Sequence, residues 1–257
     1  MNSEDILGLA PPPADARIAY GTDRTQFGEI RLPKSSGPFP LVMNIHGGFW
    51  RAAYDLAHAG HLCAALTGKG LATWNVEYRR VGNAGGGWPG TFEDVRNAYR
   101  FLPQLAQRYK LDATKVLVMG HSAGGELALC LAAHEPSLQH VISLAGVVDL
   151  RQAWELHLGN DAVAGFLGGT PSQIGDHYRE ADPMQLSVPR TTKQWLIHGA
   201  DDNVVPAVLS RNYTEQKKKR GEDAHYLEIS TAGHFELIDP RSKAWPQVEN
   251  TVLHELG

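Results

Sequence analysis

A serine in a setting suited to nucleophilic chemistry lies in the pentapeptide Gly120-His121-Ser122-Ala123-Gly124. The preceding residues 115–119 predict a buried strand, and the following residues 125–133 predict a helix. At such a strand-to-helix turn the serine hydroxyl stands above the sheet, and the flanking glycines let neighbouring backbones pack closely. The turn also aims the amide of Ala123 into the site at a helix N-terminus. We interpret Ser122 as a catalytic nucleophile.

A second motif, His46-Gly47-Gly48-Phe49-Trp50, directly follows the predicted buried strand 41–45. Acyl transfer passes through an oxyanion, which is stabilised by hydrogen-bond donors that are already aimed at it. Backbone N–H groups serve well, and small residues let a substrate approach them. Taken alone, the motif could be a tight turn after a strand. Together with the serine turn, it favours an oxyanion-binding loop.

The serine also needs a base, and the base needs an acid to orient it. Of the twelve histidines, His234 is favoured because it follows the predicted strand 226–229, and sites on open α/β sheets form at the carboxyl ends of strands. His225 precedes that strand and is expected at the surface of the opposite end. The acid should follow the previous strand, residues 194–197, where Asp201 and Asp202 are adjacent. Pattern alone leaves both open, and only one of the two can face His234.

These motifs resemble those of the α/β-hydrolases, specifically the small esterases with an H-G-G-x-W oxyanion loop. That group includes acetyl- and feruloyl-esterase-like enzymes and the kynurenine formamidase type. The resemblance extends over nearly the whole chain from about residue 17. It rests on residues 46–50, 120–125, 198–206 and 233–234, which occur in the same order.

The resemblance implies roles for particular residues. The H-G-x-x-D-x-x-V-P spacing falls on Asp202 as the acid of a triad with Ser122 and His234. By the same resemblance, the oxyanion donors are the amides of Gly48, Phe49 and Ala123. Phe49 stands where the related lipase-type loop has a third glycine, so activity on esters of tertiary alcohols is not expected.

The predicted activity is hydrolysis of short-chain carboxylic esters through an acyl-enzyme. The alternative is an aryl formamidase that uses the same triad on an N-formyl group. A serine peptidase would need a further domain to recognise a peptide. An inactive hydrolase-like binding protein usually lacks a member of the triad, whereas here all three residues are present.

Strands and helices alternate from about residue 41 onwards, and the strands are short and apolar without alternation. This pattern predicts a mostly parallel sheet with helices on both faces. Residues 17–20 and 26–32 predict two strands with no helix between them, which fits an antiparallel N-terminal edge. We expect one α/β-hydrolase domain over residues 1–257, with a flexible arm over 1–16 and a small cap-like insertion over 150–189.

The insertion is expected to limit the acyl pocket. Its apolar side chains would form a wall beside the bulky Phe49: Trp154, Leu156, Leu158, Val163, Phe166 and Leu167. Three other residues stay open between two roles. Trp50 and Trp88 either line the pocket or belong to the core, and Arg79 either binds an acidic substrate group or forms a structural salt bridge.

Composition excludes several classes of protein. The net charge of −4 does not suit a nucleic-acid binder, and no apolar run is long enough to span a membrane. Cys63 and Cys130 lie in apolar helical patterns, and the first sixteen residues do not resemble a signal peptide, so a cytoplasmic location is expected. His58 and His61 have no third ligand nearby, and we predict no metal and no cofactor. The expected partner is a small-molecule ester, and the expected state is a monomer or homodimer.

Overall fold

The computed structural model describes residues 3–257. Its central sheet has eight strands: β1 (Ala16–Ala19), β2 (Phe27–Arg31), β3 (Phe39–Ile45), β4 (Ala72–Val76), β5 (Leu111–His121), β6 (His140–Leu144), β7 (Lys193–Gly199) and β8 (Ala224–Ile229). The strands follow the spatial order β1-β2-β4-β3-β5-β6-β7-β8. The pairs β1–β2 and β2–β4 are antiparallel, and every later pair is parallel. The predicted mostly parallel sheet with an antiparallel edge is confirmed.

The helices are α1 (Gly60–Gly68), α2 (Gly90–Arg100), α3 (Leu102–Tyr109), α4 (Ala123–His134), α5 (Leu150–Glu155), α6 (Ala162–Leu167), α7 (Gly175–Ala181), α8 (Val208–Lys219) and α9 (Trp245–Leu256). A proline inside a helical pattern kinks or divides the helix, and the chain divides next to Pro103 into α2 and α3. Pro103 lies in the first turn of α3, where its missing N–H has no helical partner to lose.

Two apolar layers cover the sheet, one on each face. Successive strand residues point to opposite faces, so Leu41 and Met43 belong to one cluster and Val42 to the other. The first cluster contains side chains of α2, α3, α4 and α8, and the second contains side chains of α1 and α9. Helices therefore pack on both faces, as predicted. Because β3 to β8 are parallel, their carboxyl ends lie together at one edge of the sheet.

The predicted flexible arm contacts the body at some of the described residues 3–16, although most of these residues are exposed; Met1 and Asn2 lie outside the described residues. Ser3–Gly8 forms a 3-10 helix, and Ile6 is completely buried in the cluster that contains Leu62. Arg31 donates a hydrogen bond to the carbonyl of Pro12 at 2.9 Å. A single buried apolar side chain thus anchors a segment whose other side chains are mostly exposed.

We expect Ile6→Ala to lower the free energy of unfolding by about 2–4 kcal/mol, because it leaves a cavity in a closed apolar cluster. Urea denaturation followed by circular dichroism measures this change. Leu9→Ala is a matched control in the same arm, since the Leu9 side chain is 39 % exposed and its loss should cost less than about 0.5 kcal/mol. Equal effects of the two substitutions would mean that the arm is not packed in solution.

The insertion over residues 150–189 contains the three short helices α5, α6 and α7. Asp149 caps α5 by accepting a hydrogen bond from the amide of Gln152 at 2.9 Å. The carboxylate of Asp182 accepts hydrogen bonds from the amides of Leu150 and Met184, each at 3.1 Å, and so links the two ends of the insertion. Phe166 is 1 % exposed and belongs to the main core. The insertion is therefore a packed part of the domain.

Candidate active site

Ser122 lies at the turn between β5 and α4, with the strained backbone angles φ 56° and ψ −120°. Its amide donates to the carbonyl of Leu144 at 2.8 Å, which fixes the turn to the neighbouring strand β6. A Cβ on Gly124 would overlap the carbonyl oxygen of Ile45, and one on Gly120 would overlap the carbonyl of Gly124. Glycine is therefore required at both positions for the close approach that the turn makes.

The loop after β3 has three successive residues with positive φ: Gly48 at 116°, Phe49 at 49° and Trp50 at 57°. Such a backbone costs about 1–3 kcal/mol at each non-glycine residue, so surrounding contacts must hold it. The amide of Val81 donates to the carbonyl of Trp50 at 2.8 Å. Gly48 and Phe49 line the same cavity as Ser122, and Ala123 is the buried first residue of α4.

His46 supports this loop from inside the protein. Its Nε2 lies 3.0 Å from a carboxylate oxygen of Glu77, and its Nδ1 lies 2.7 Å from the carbonyl of Gly47. The hydroxyl of Tyr78 donates to the carbonyl of His46 at 2.7 Å. Burial opposes ionisation of Glu77, but His46 and Arg80 hold the pKa of Glu77 below its ordinary value. The first residue of the motif is thus fixed at both ring nitrogens.

The structure brings Asp202 and His234 together. Asp202 follows β7 and His234 follows β8, and His234 Nδ1 lies 2.7 Å from Asp202 Oδ2. The other oxygen, Asp202 Oδ1, accepts the amides of Val204 and Val205 at 2.8 Å each. Asp201 is exposed to solvent instead. His225 lies at the opposite end of β8 and pairs with Asp223.

His198 gives Asp202 a further partner. Its Nε2 lies 3.2 Å from Asp202 Oδ2, its Nδ1 lies 2.8 Å from the hydroxyl oxygen of Ser210, and its side chain is completely buried. Burial raises the pKa of Asp202, but the hydrogen bonds from His198 and His234 outweigh it and hold that pKa well below its ordinary value. Asp202 is therefore a carboxylate at neutral pH. Sequence analysis gave His198 no role, although its spacing of four residues from Asp202 was a usable signal.

His121, which precedes Ser122, contacts His234. Its Nε2 lies 3.0 Å from the backbone carbonyl of His234, and the two rings are 4.5 Å apart. Burial, and then the neighbouring His234, lower the pKa of His121 well below its ordinary value. A neutral His121 donates its Nε2 hydrogen to that carbonyl and so helps to fix the loop that carries His234.

A cavity of about 280 Å³ contains Ser122 and His234. Its other lining residues come from the segments after β3, β7 and β8, from the end of β5 and from the N-terminal arm. They are Glu4, Leu7, Gly48, Phe49, Tyr54, His58, His121, Val204 and Phe235. None of the described residues of the 150–189 insertion is among them, so the predicted apolar wall from that insertion is wrong. The arm occupies that place, and the insertion packs behind the loop, where Phe166 stacks on Trp50 with ring centroids 4.5 Å apart.

The sequence left the roles of Trp50, Trp88 and Arg79 open, and in the structure each of them contacts other residues of the protein. Trp50 is completely buried, Trp88 stacks on Phe92, and neither lines the cavity. Arg79 forms a salt bridge with the buried Asp94 at 2.6 Å. These findings favour the core and salt-bridge interpretations over substrate binding.

His58 is a cavity residue that the sequence analysis considered only as a metal ligand. It is 6 % exposed, and burial, together with His46, lowers its pKa to about 4. His58 is thus a neutral group that lines the same cavity as Ser122. Over residues 3–257, no three His, Cys, Asp or Glu side chains are grouped so that they could hold a metal ion. Nor is any helix in that range both long and apolar enough to cross a bilayer.

Known proteins with similar sequences include esterases and a formamidase. Esterase LipC of Mycobacterium tuberculosis (strain ATCC 25618 / H37Rv) is 26 % identical over 244 residues, which cover 87 % of this chain and 60 % of LipC. The kynurenine formamidase of Drosophila melanogaster is 22 % identical over 237 residues, which cover 86 % of this chain and 75 % of that protein. The chain spans only 60 %, 48 % and 51 % of three curated relatives that it matches.

The fold has close counterparts among solved structures. A truncated form of a carbohydrate esterase from gut microbiota superposes with a TM-score of 0.80 at 21 % identity, covering 95 % of this chain and 98 % of the other. At that identity the likeness establishes the shared fold. A family model described as BD-FAE matches residues 29–216, which is well over half of the chain. The chain is therefore an α/β-hydrolase that belongs to the BD-FAE family.

Proposed function

We propose that the protein is a serine hydrolase that cleaves short-chain carboxylic esters through an acyl-enzyme. The proposal rests on the arrangement of three side chains. His234 is hydrogen-bonded through Nδ1 to the buried carboxylate of Asp202, and its ring lines the same small cavity as Ser122. The esterase relative LipC supports the same reaction class.

Each residue has a role in the proposed reaction. Asp202 keeps the hydrogen on Nδ1 of His234, so the Nε2 lone pair is free to take the hydroxyl proton of Ser122. The serine oxygen then attacks the ester carbonyl carbon. The amides of Gly48, Phe49 and Ala123 stabilise the oxyanion that forms. His234 returns the proton to the departing alcohol, and a water molecule repeats the sequence to release the acid.

The permanent charge on Asp202 supports this division of roles. Formation of the tetrahedral intermediate makes His234 an imidazolium, and a nearby carboxylate stabilises that positive charge. Asp202 stays ionised because its own hydrogen bonds hold its pKa low. The base therefore remains oriented and electrostatically assisted throughout the neutral pH range.

Short acyl chains are the expected substrates. The cavity has a volume of about 280 Å³, and its apolar lining includes Phe49, Leu7 and Phe235. Each buried methylene contributes about 0.8 kcal/mol only until the cavity is full. We expect kcat/KM for p-nitrophenyl esters to peak between acetyl and butyryl and to fall for octanoyl and longer chains, without interfacial activation. A preference for long-chain emulsified triglycerides would contradict this cavity as the acyl site.

A second candidate activity is hydrolysis of an N-formyl aryl amine, which needs the same triad. The similarity to a kynurenine formamidase over 86 % of this chain favours its inclusion. Adding N-formylkynurenine to the ester panel separates the two activities. A formamidase would hydrolyse it with a kcat/KM well above that for every simple ester. The cytoplasmic location, the monomeric or homodimeric state and the absence of a cofactor stay predictions.

A further inference from the structure

A buried side-chain hydrogen bond joins the loop of the proposed oxyanion hole to the helix that begins after the nucleophile. Trp50 Nε1 donates to Glu126 Oε2 at 2.9 Å, and both side chains are completely buried. Trp50 directly follows Phe49, whose amide is a proposed oxyanion donor. Glu126 lies on α4, one helical turn after Ser122. The bond therefore connects the two halves of the proposed site beneath the cavity.

Trp50 is held on its face as well as at its edge. Its ring is stacked on Phe166 of α6, with centroids 4.5 Å apart and planes 5° from parallel. Stacking holds the face of the ring, and the hydrogen bond at Nε1 holds its edge, so the two contacts together fix the orientation of the indole. Since Trp50 and its two predecessors all have positive φ, the orientation of this ring and the path of the loop are coupled.

The contacts of Glu126 allow two positions for the hydrogen that it shares with Cys130, one on the thiol and one on the carboxyl group. Cys130 Sγ is 3.0 Å from Glu126 Oε1 and 2.8 Å from the carbonyl oxygen of Ala181. A thiol carries one hydrogen, and a carbonyl oxygen can only accept. If the thiol donates to Ala181, the hydrogen between Cys130 and Glu126 must come from the carboxyl group. Burial raises the pKa of Glu126 to about 8, in agreement with a protonated carboxyl.

We propose that neutral Glu126 is a positioning residue for the oxyanion loop, acting through Trp50. This inference rests on the ester hydrolysis proposed above. A protonated Glu126 donates to Cys130 and accepts from Trp50, so hydrogen bonds run from the loop through α4 to Ala181, the last residue of α7. Fixing the indole fixes the amides of Gly48 and Phe49, whose alignment matters most when the oxyanion forms. Glu126 touches no reacting atom.

The test compares Glu126→Leu, Glu126→Gln and Trp50→Phe in the full chain with p-nitrophenyl acetate. Leucine removes both hydrogen bonds, and phenylalanine removes the Nε1 donor and part of the indole volume while it keeps an aromatic ring on Phe166. Both variants should lose kcat by about tenfold or more with KM within about threefold, because a misaligned donor weakens the transition state more than the ground state. Glutamine can accept from Trp50 and donate to Cys130, so it should restore most of kcat.

Unchanged kcat in both Glu126→Leu and Trp50→Phe would overturn the proposal, and so would a glutamine variant as impaired as the leucine variant. If Glu126→Leu does not fold, as judged by circular dichroism, the Trp50→Phe variant decides. Failure of the proposed function is distinguishable from failure of this inference. If the wild-type protein hydrolyses no ester and is not labelled by a fluorophosphonate probe, the proposed ester hydrolysis itself is contradicted. If the wild-type protein is active and the variants are equally active, only the proposed positioning role of Glu126 is contradicted.

Discussion

Ser122→Ala is expected to abolish nearly all ester hydrolysis while the fold stays intact. The substitution removes only the hydroxyl oxygen, and the alanine amide still bonds to the carbonyl of Leu144. Removal of a triad serine typically lowers kcat by about four to six orders of magnitude, and donors in the oxyanion hole account for the residual rate. The measurements are kcat with p-nitrophenyl butyrate, covalent labelling by a fluorophosphonate and the circular dichroism spectrum.

Ser143→Ala provides a matched control. Ser143 lies on β6 and is completely buried, and over the described chain its hydroxyl is one of the few buried polar groups without a hydrogen-bond partner. Its loss should leave kcat within about twofold and need not destabilise the fold, since an unsatisfied buried hydroxyl is itself costly. Activity of Ser122→Ala within tenfold of wild type would place the nucleophile elsewhere.

Asp202→Asn is expected to lower kcat by about four orders of magnitude, as loss of the triad acid does in related chemistry. An amide can still accept the backbone hydrogen bonds of Val204 and Val205, but it can also donate to His234 and so stabilise the wrong tautomer. It also removes the negative charge that stabilises the imidazolium. Steady-state kinetics with a short-chain ester measure the effect.

The neighbouring Asp201→Asn is the control for this prediction. Asp201 is exposed, and its backbone amide bonds to the carbonyl of Ala232 whichever side chain it carries. We expect kcat to change less than about threefold, because substitutions of exposed side chains are usually close to neutral. If Asp201→Asn were the damaging variant, the assignment of the acid from the H-G-x-x-D-x-x-V-P spacing would be wrong.

The predictions that succeeded rest on local signals. A buried strand has to be apolar, and a tight strand-to-helix turn has to carry glycine, so Gly120 and Gly124 indicated the geometry around Ser122 before any contact was known. The strands also had to end at a common edge, which put residues after β5, β7 and β8 within reach of one another. The sheet, its antiparallel edge and the division at Pro103 follow from the same kind of signal.

The predictions that failed concern contacts between distant segments. Nothing in the sequence around Ile6 indicates that its side chain enters a cluster with Leu62, or that Leu7 then lines the cavity. Likewise, the apolar residues of the 150–189 insertion suit a pocket wall and a core equally well, and Phe166 packs on Trp50 instead. Which surface covers an apolar side chain depends on the assembled tertiary structure, and local spacing carries little information about it.

The position of the N-terminal arm has a practical consequence for attaching the protein to a surface or a fusion partner. Glu4 and Leu7 line the cavity mouth, so a bulky group joined just before them would stand beside the route that substrate takes. Gly257, the last residue described, lies elsewhere: its carbonyl accepts a hydrogen bond from Lys115, in the part of β5 remote from Ser122. Immobilisation through Gly257 would therefore leave the cavity open to solution and the arm in its native place.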